Sequence, residues 1–462
     1  MSDAPIQSVD AVLNCEKLGH YRYMLYAAGA LLMALEGYDA YVVANLATFI
    51  IKTFHSPISS MAFIFSIQNA GMAVGFYAIP MLADRYGRRW VILIGAALFG
   101  VLTLVSTVPT TLTGFAVVRF LTFIAFGGTM PNIVALVTEY LPENSRGRLL
   151  TWLFVAQGLG ASAAGFIGPS FVHYHSWQAA FWFGGGLMLA AIPFLYAYLP
   201  ESCRYLLVRK PNDPQIGRLL KRVDPNFVPL PGAYFVTAEE RPNGWALPGL
   251  FRDGRTRMTV LLWIASAMIL GASNTLTAWV PSFLHVLGGI DRALAARMTS
   301  VSAIGAIFGP VLLTLLMKRM PLPGALTVTT LLGFLAMTAL SAVSSLPWLG
   351  WVLGFGMGFL VVGSIAGVNT LVAASYPTAM RSTGIGWAGG LGRITSIFGP
   401  GIAGLLLAAQ WSPTAIYITI ASPLVVAGIA TAMLAAREKP IAAASRPTDK
   451  PPTDELAMTS NS

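Results

Sequence analysis

Four ionisable side chains lie in stretches otherwise too apolar to hold them: Glu36, Asp39, Arg119 and Arg393. The two acids belong to Leu35-Glu36-Gly37-Tyr38-Asp39, and three residues apart on a helix they share a face. Arg119 opens one apolar run and Arg393 lies well inside another. An ionisable group in such surroundings is costly, and it usually faces a cavity with a partner. A low dielectric disfavours the ionised carboxylate, and a second acid alongside disfavours it further, so such a pair can take up and release a proton. A buried guanidinium keeps its charge, and its planar donor fork suits a carboxylate. The plainer alternative is a static pair between one of the acids and Arg119. Arg393 is harder to place, because no acid lies in the apolar runs of the second half. A first-half acid or an anionic ligand must neutralise it. Tyr38, Tyr41, Trp279 and Trp387 occupy the same neighbourhoods. They have the shape to stack on a ring, although such aromatics more often pack or anchor.

The elements that position these groups follow from composition. Of 462 residues, 55% are hydrophobic and 10% charged, against about 25% charged in an ordinary soluble domain. Mean hydropathy is +0.67. Disorder, fibres and a water-soluble enzyme are excluded. A helix crosses a bilayer with about 20 apolar residues. Twelve runs qualify, near 22–50, 59–83, 89–108, 112–138, 149–172, 178–199, 257–284, 295–317, 323–344, 347–375, 383–408 and 413–436. The expected organisation is an N-terminal segment (1–21), a six-helix bundle (22–200), a central loop rich in proline and charge (201–256), a second six-helix bundle (257–436) and a disordered Ser/Thr/Pro-rich tail (437–462). The polar start does not read as a signal peptide, so the first run is expected to be kept as a span.

With both termini in the cytoplasm, 24 of the 29 Lys and Arg fall on the cytoplasmic side, three fall opposite, and two lie inside spans. That obeys the positive-inside rule. The net charge of +10 therefore reflects topology, and no nucleic-acid partner is expected. Two cysteines, Cys15 and Cys203, cannot make a disulfide scaffold or a Cys-rich metal site. The five histidines contain no HExxH pattern, and His173 and His175 read as loop residues. No metal and no cofactor is expected.

The halves repeat. Pro142 and Arg146 correspond to Pro377 and Arg381, Gly158-Leu159-Gly160 to Gly390-Leu391-Gly392, and Gly168-Pro169 to Gly399-Pro400. The offsets are 235, 232 and 231 residues. Near-constant offsets between elements in the same order argue for a parallel duplication. The expected fold is all-α, with twelve transmembrane helices in two pseudo-symmetric six-helix bundles around a central cavity.

After the second span come Asp84-Arg85-Tyr86-Gly87-Arg88-Arg89. The glycine permits a tight turn, and the arginines can pair with Asp84 and with helix C-terminal carbonyls. With Gly75 upstream, this stretch resembles the loop signature of the major facilitator superfamily. Within that superfamily the chain resembles the aromatic acid:proton symporters, carriers of 4-hydroxybenzoate, benzoate and hydroxyphenylpropionate. The matching residues are Glu36-Gly37-Tyr38-Asp39, Arg119-Phe120-Leu121-Thr122, Gly127-Gly128-Thr129-Met130-Pro131-Asn132, Glu139-Tyr140, Tyr376 through Gly384, Gly392-Arg393 and Gly399-Pro400. Three departures stand out. Glu36 replaces the usual Asp, Gly75 lies further upstream than the signature's glycine, and Met317-Lys318-Arg319 lacks the acid often found there.

The resemblance implies proton coupling at Glu36 and Asp39. It implies that Arg119 and Arg393 are needed for transport, and with Tyr38, Asn132 and Trp387 these arginines are the candidate substrate contacts. It implies conformational roles for Asp84, Arg85, Gly87, Arg88, Arg89, Glu139, Arg146 and Arg381. The expected activity is proton-coupled import of an aromatic carboxylate by alternating access, in a monomer spanning the bacterial inner membrane. One proton with one monoanion moves no net charge, so the potential of about 2.3 kcal/mol per charge per 100 mV is not opposed. Pro200-Glu201-Ser202 with Arg204 also resembles a sugar-porter signature, which keeps a sugar or polyol porter as a rival. Gly160, Gly165, Gly168 and Pro169 partly resemble a drug-exporter motif. Two membrane arginines disfavour cationic drugs. A substrate sensor is expected to carry a long soluble region that this chain lacks.

Overall fold

The computed structural model describes residues 6–15, 19–174, 176–209, 211–230, 234–236, 248–252, 254–376 and 378–436. The tail at 437–462 lies outside the described residues, as do Lys17, His175 and Pro377. Among the described residues twelve helices are long and apolar enough to cross a membrane. The first six are α2 (His20–Thr53), α3 (Met61–Tyr86), α4 (Arg88–Val105), α5 (Leu112–Glu139), α6 (Glu143–Tyr174) and α7 (Trp177–Tyr198), preceded by β1 (Ile6–Ser8) and α1 (Val9–Leu13). The stretch between the bundles holds α8 (Cys203–Arg209), α9 (Pro214–Val223) and β2 (Tyr234–Val236). The second six spans are α10 (Thr256–Val286), α11 (Arg292–Met317), α12 (Leu322–Ala339), the pair α13 (Leu349–Gly356) and α14 (Gly363–Ser375), α15 (Thr378–Ala408) and α16 (Pro413–Ala435). A π-helical turn at Met357–Val362 joins α13 to α14, so the two make one span.

The duplication seen in the sequence is present in the packing. In the first half α2 packs on α6, α3 on α5 and α4 on α7. In the second half α10 packs on α15, α11 on α13 and the π turn, and α12 on α16. These are the same pairs six spans later. Pro169 and Pro400 lie inside the corresponding helices α6 and α15. Apolar length alone does not bring the helices together in lipid, so close approach depends on small residues. At Gly37 and Gly160 a Cβ would run into the backbone of the partner helix, at Gln157 and Ala34 respectively. These two glycines let α2 and α6 touch.

Two elements differ from expectation. The fifth span begins at Glu143 rather than 149, because the polar residues 143–148 continue the helix past its apolar part. The second difference lies between the bundles, where the sequence reads only as a polar loop. There α9 buries Ile216, Leu219, Leu220 and Val223 while Arg218, Lys221 and Arg222 face outward. That is helical spacing with one apolar face. α9 packs on α1, and β1 pairs in parallel with β2, Ile6 opposite Tyr234. Arg22, which the sequence offers only as a topological charge, is 1% exposed. It donates hydrogen bonds to the carbonyls of Cys15 (2.7 Å), Val12 (2.9 Å) and Leu13 (3.0 Å), closing the C-terminus of α1.

Candidate functional site

The apolar face of α2 carries Glu36 and Asp39 inward, at 0% and 2% exposure. Asp39 meets Arg119 of α5 in a two-pronged pair. The distances are 2.5 Å from Arg119 Nη2 to Asp39 Oδ2 and 3.2 Å from Nη1 to Oδ1. Thr103 of α4 donates to the same carboxylate at 3.1 Å. Arg119 is completely buried, and its guanidinium lies 5.1 Å from the Phe123 ring centroid and 5.4 Å from that of Phe181. The static pair weighed from the sequence is therefore present. It involves Asp39 and takes both Nη groups of Arg119, whose Nε is buried without a partner.

Glu36 has a different environment. Its Oε1 is hydrogen-bonded to Thr129 Oγ1 of α5, and its Oε2 is buried without a partner. Thr129 Oγ1 also approaches the Ala125 and Phe126 carbonyls, each at 3.1 Å. One hydroxyl hydrogen serves one acceptor well. If Glu36 is the carboxylic acid, it donates to Thr129 while Thr129 donates to its own helix. If Glu36 is ionised, the hydroxyl must turn away from the backbone.

Arg393 of α15 sits where the halves meet. Its guanidinium lies 3.4 Å from the ring centroid of Phe76 on α3, and Nη1 donates to the Gly389 carbonyl at 3.2 Å. Nε is buried without a partner. Among the described residues the ion pairs are Arg88–Glu139 and Arg119–Asp39, so no carboxylate neutralises Arg393.

The other proposed contacts are engaged elsewhere. The Tyr38 hydroxyl donates to the Ala180 carbonyl of α7 at 3.1 Å, and the ring is buried. In this conformation the ring packs edge-on against Phe183 of α7. Trp279 donates to the Pro400 carbonyl at 3.1 Å and stacks on Phe283. Asn132 donates back to Gly128 of its own helix at 2.7 Å. Trp387 is 45% exposed and stacks on Trp263, with centroids 5.9 Å apart. It lies six residues before Arg393, so it points about 240° around the helix from it.

The loop residues converge at the end of the first half that carries the N-terminus. Gly87 takes φ +97°, and a Cβ there would run into the Glu201 carboxylate. Glu201 Oε1 accepts from the backbone N–H of Arg88 (2.8 Å), Arg89 (3.2 Å) and Ser202 (2.9 Å). It thus caps the start of α4, where a negative charge also meets the positive end of the helix dipole. Arg88 pairs with Glu139 at 3.3 Å, not with Asp84, which is a correction to the pairing expected from the sequence. Ser202 Oγ and the Arg204 N–H both donate to Glu139, each at 2.7 Å. Tyr140 donates to the Glu201 carbonyl at 2.5 Å. Sequence reasoning missed Glu201 and Ser202. The signal is an acid and a serine directly after a span, a pattern that by itself gives neither residue a partner. Asp84, Arg85 and Arg381 are exposed, and Arg146 donates to the Leu141 carbonyl at 3.3 Å. Hydrogen bonds between the halves lie away from this end. Thr299 donates to Asn45 at 3.3 Å, and Ser162 donates to the Ser300 carbonyl at 2.8 Å.

Two parallel six-helix bundles with charges buried between their helices define a class of membrane transporter. The family model of the Major Facilitator Superfamily matches residues 29–389 and 289–459, and the chain belongs to that superfamily. It is therefore a multi-pass membrane transporter and not an enzyme. It is 29% identical over 429 residues to a gallate transporter of Pseudomonas putida, covering 93% of this chain and 95% of that one. It is likewise 29% identical to the 4-hydroxybenzoate transporter PcaK of Acinetobacter baylyi, covering 91% and 92%. The crystal structure of the nucleoside transporter NupG superposes with a TM-score of 0.69 at 14% identity, over 90% of this chain and all of that one. That likeness concerns the fold alone.

Proposed function

We propose that this protein is a proton-coupled symporter that carries an aromatic carboxylate across the bacterial inner membrane by alternating access. The observation that carries the reading is the contrast between the two membrane arginines. Arg119 is neutralised by Asp39, whereas Arg393 has no carboxylate and lies on an aromatic ring between the halves. A substrate carboxylate supplies the missing charge and can take the fork at two points. Phe76 then offers an edge or face to the substrate ring. Relatives named for gallate and 4-hydroxybenzoate, both aromatic carboxylates, support the same class.

Proton coupling falls to Glu36 and Asp39. Glu36 has no cation partner and can hold a proton toward Thr129. Asp39 is released from Arg119 only if it is protonated or replaced by another anion, because an unpaired buried guanidinium is strongly unfavourable. Substrate and proton together leave the interior uncharged, and a neutral interior can reorient. With the termini in the cytoplasm, the inter-half hydrogen bonds at Asn45 and Ser162 support an arrangement closed on the outer side. Glu139, Arg88 and Glu201 hold the inner ends of the first half together while the halves rock. The working unit is a monomer. A sugar or polyol porter is less well supported, since a sugar needs amide and hydroxyl partners and the unpartnered group here is a guanidinium.

The deciding experiment uses purified protein in liposomes with an imposed inward proton gradient. Labelled 4-hydroxybenzoate, benzoate, glucose and a cationic dye are offered. Gradient-driven uptake of the aromatic acids is expected, and uptake of glucose alone overturns the reading.

A further inference from the structure

A second feature lies on the lipid side of the first half. On α4, Trp90, Ile94, Leu98 and Val101 are exposed, spaced four, four and three residues apart, so they form one apolar stripe along the helix. α7 packs on α4 and exposes Trp182, Leu187 and Tyr196. The two helices thus present a continuous apolar surface of acyl-chain character.

Arg89 stands at the inner end of that surface, and Arg85 and Arg209 lie beside it at the α3–α4 turn. Arg89 lies over Trp90 (5.8 Å) and Tyr196 (5.0 Å) and donates to the Tyr196 carbonyl at 2.8 Å. Its Nε is buried and has no partner. Arg85 lies over Tyr86 at 5.5 Å, and Arg209 lies over Tyr205 at 5.3 Å. Arg209 also donates to the Arg85 carbonyl at 2.9 Å, which ties α8 to the α3–α4 turn. None of the three takes part in an ion pair among the described residues. The nearby carboxylates are already used. Glu139 is buried and paired with Arg88, and Glu201 is buried beneath backbone N–H groups. Asp84 is exposed beside Arg85 and pairs with none of them.

We propose that this end of the α4–α7 surface binds an anionic phospholipid, with the headgroup phosphate on Arg85, Arg89 and Arg209 and an acyl chain along the α4 stripe. Positive-inside topology accounts for basic residues on this side of the membrane. It does not account for three arginines without carboxylates, each laid on an aromatic ring, at the mouth of one apolar surface. Guanidinium forks match phosphate oxygens, and Trp and Tyr rings mark the headgroup level. The site is independent of what the carrier transports.

The test is the thermal-unfolding midpoint of the purified full chain in neutral detergent, titrated with dioleoyl phosphatidylglycerol, dioleoyl phosphatidylcholine or inorganic phosphate. Phosphatidylglycerol is expected to raise the midpoint, and the other two to leave it in place. The Arg85→Gln/Arg89→Gln/Arg209→Gln variant is expected to need more lipid for the same rise, about fivefold for each arginine removed. An Arg218→Gln/Lys221→Gln/Arg222→Gln variant of the outer face of α9 is expected to respond like the parent. If the triple arginine variant does not purify, Arg85→Gln and Arg209→Gln alone serve, since both residues are exposed. An unchanged response in these variants, an equal loss in the α9 variant, or the same rise with inorganic phosphate alone overturns the proposal.

Discussion

At the scale of single residues, the interior divides its charges into one closed pair and two groups without charged partners. Removing Asp39 alone leaves Arg119 buried without an anion. Asp39→Asn is therefore expected to abolish proton-driven uptake and to lower stability by about 3–5 kcal/mol. Asp39→Asn/Arg119→Gln, which removes both charges, is expected to recover most of the stability and none of the uptake. Thermal unfolding and liposome uptake measured on the same preparations separate the two effects. Arg393 is expected to behave in the opposite way. Arg393→Gln removes a charge that no carboxylate balances, so stability is kept while aromatic acid uptake is lost. Arg393→Lys keeps the charge but not the fork. Its KM for the aromatic acid should rise about tenfold, the value of one charge-assisted hydrogen bond. An unchanged KM removes Arg393 from substrate contact. The cysteines give a check on packing outside the spans. Burial pushes the Cys203 thiol up to about 12, with the nearby Glu139 carboxylate adding to the effect. Cys203 should resist a maleimide at neutral pH until the protein unfolds, while the half-buried Cys15 reacts first. Mass spectrometry of the labelled peptides distinguishes them.

At the scale of elements, the turn between α3 and α4 rests on two residues far apart in sequence. Gly87 has a positive φ, and Glu201 fills the space where a Cβ would stand. Gly87→Ala meets both obstacles and is expected to cost about 2 kcal/mol in thermal or denaturant unfolding. Glu201→Gln keeps the shape and loses the charge at the start of α4, and about 1 kcal/mol is expected. A cost for Glu201→Gln equal to that of Gly87→Ala would show that charge, and not space, governs the turn. The twelve spans were legible because apolar length is a local property, and the runs missed chiefly the polar first turns of α6 and α15. The cap formed by α1, α9 and the β1–β2 pair was not legible. Its two strands are three residues each and more than two hundred residues apart. Its helices are too short for periodicity to stand out. Only the α9 pattern, Ile216, Leu219, Leu220 and Val223, was available to be read.

At the scale of the whole molecule, the hydrogen bonds between halves lie toward the ends of α2 and α6 farthest from the chain's N-terminus. If the halves rock about the middle, that end must open in each cycle. Asn45→Cys and Thr299→Cys, introduced together in a chain without Cys15 and Cys203 and bridged by a short bismaleimide, are expected to stop uptake without unfolding the protein. Either cysteine alone with the same reagent should leave uptake near the parent rate. Full activity after bridging would mean that this contact does not open.

The sequence by itself determined the twelve spans, the duplication, and the identity of the four charges that break the apolar pattern. Each of these is written in composition or spacing along one chain. Only the tertiary structure decided which charges meet. Asp39 and Arg119 are eighty residues apart on different helices, and nothing in their spacing separates Asp39 from Glu36 as the partner. Arg393 depends on the other half of the molecule in the same way, since its neighbour Phe76 belongs to a helix of the first bundle. Pairing depends on distance across a packed interface, and in lipid that distance is set by which small residues let which helices touch.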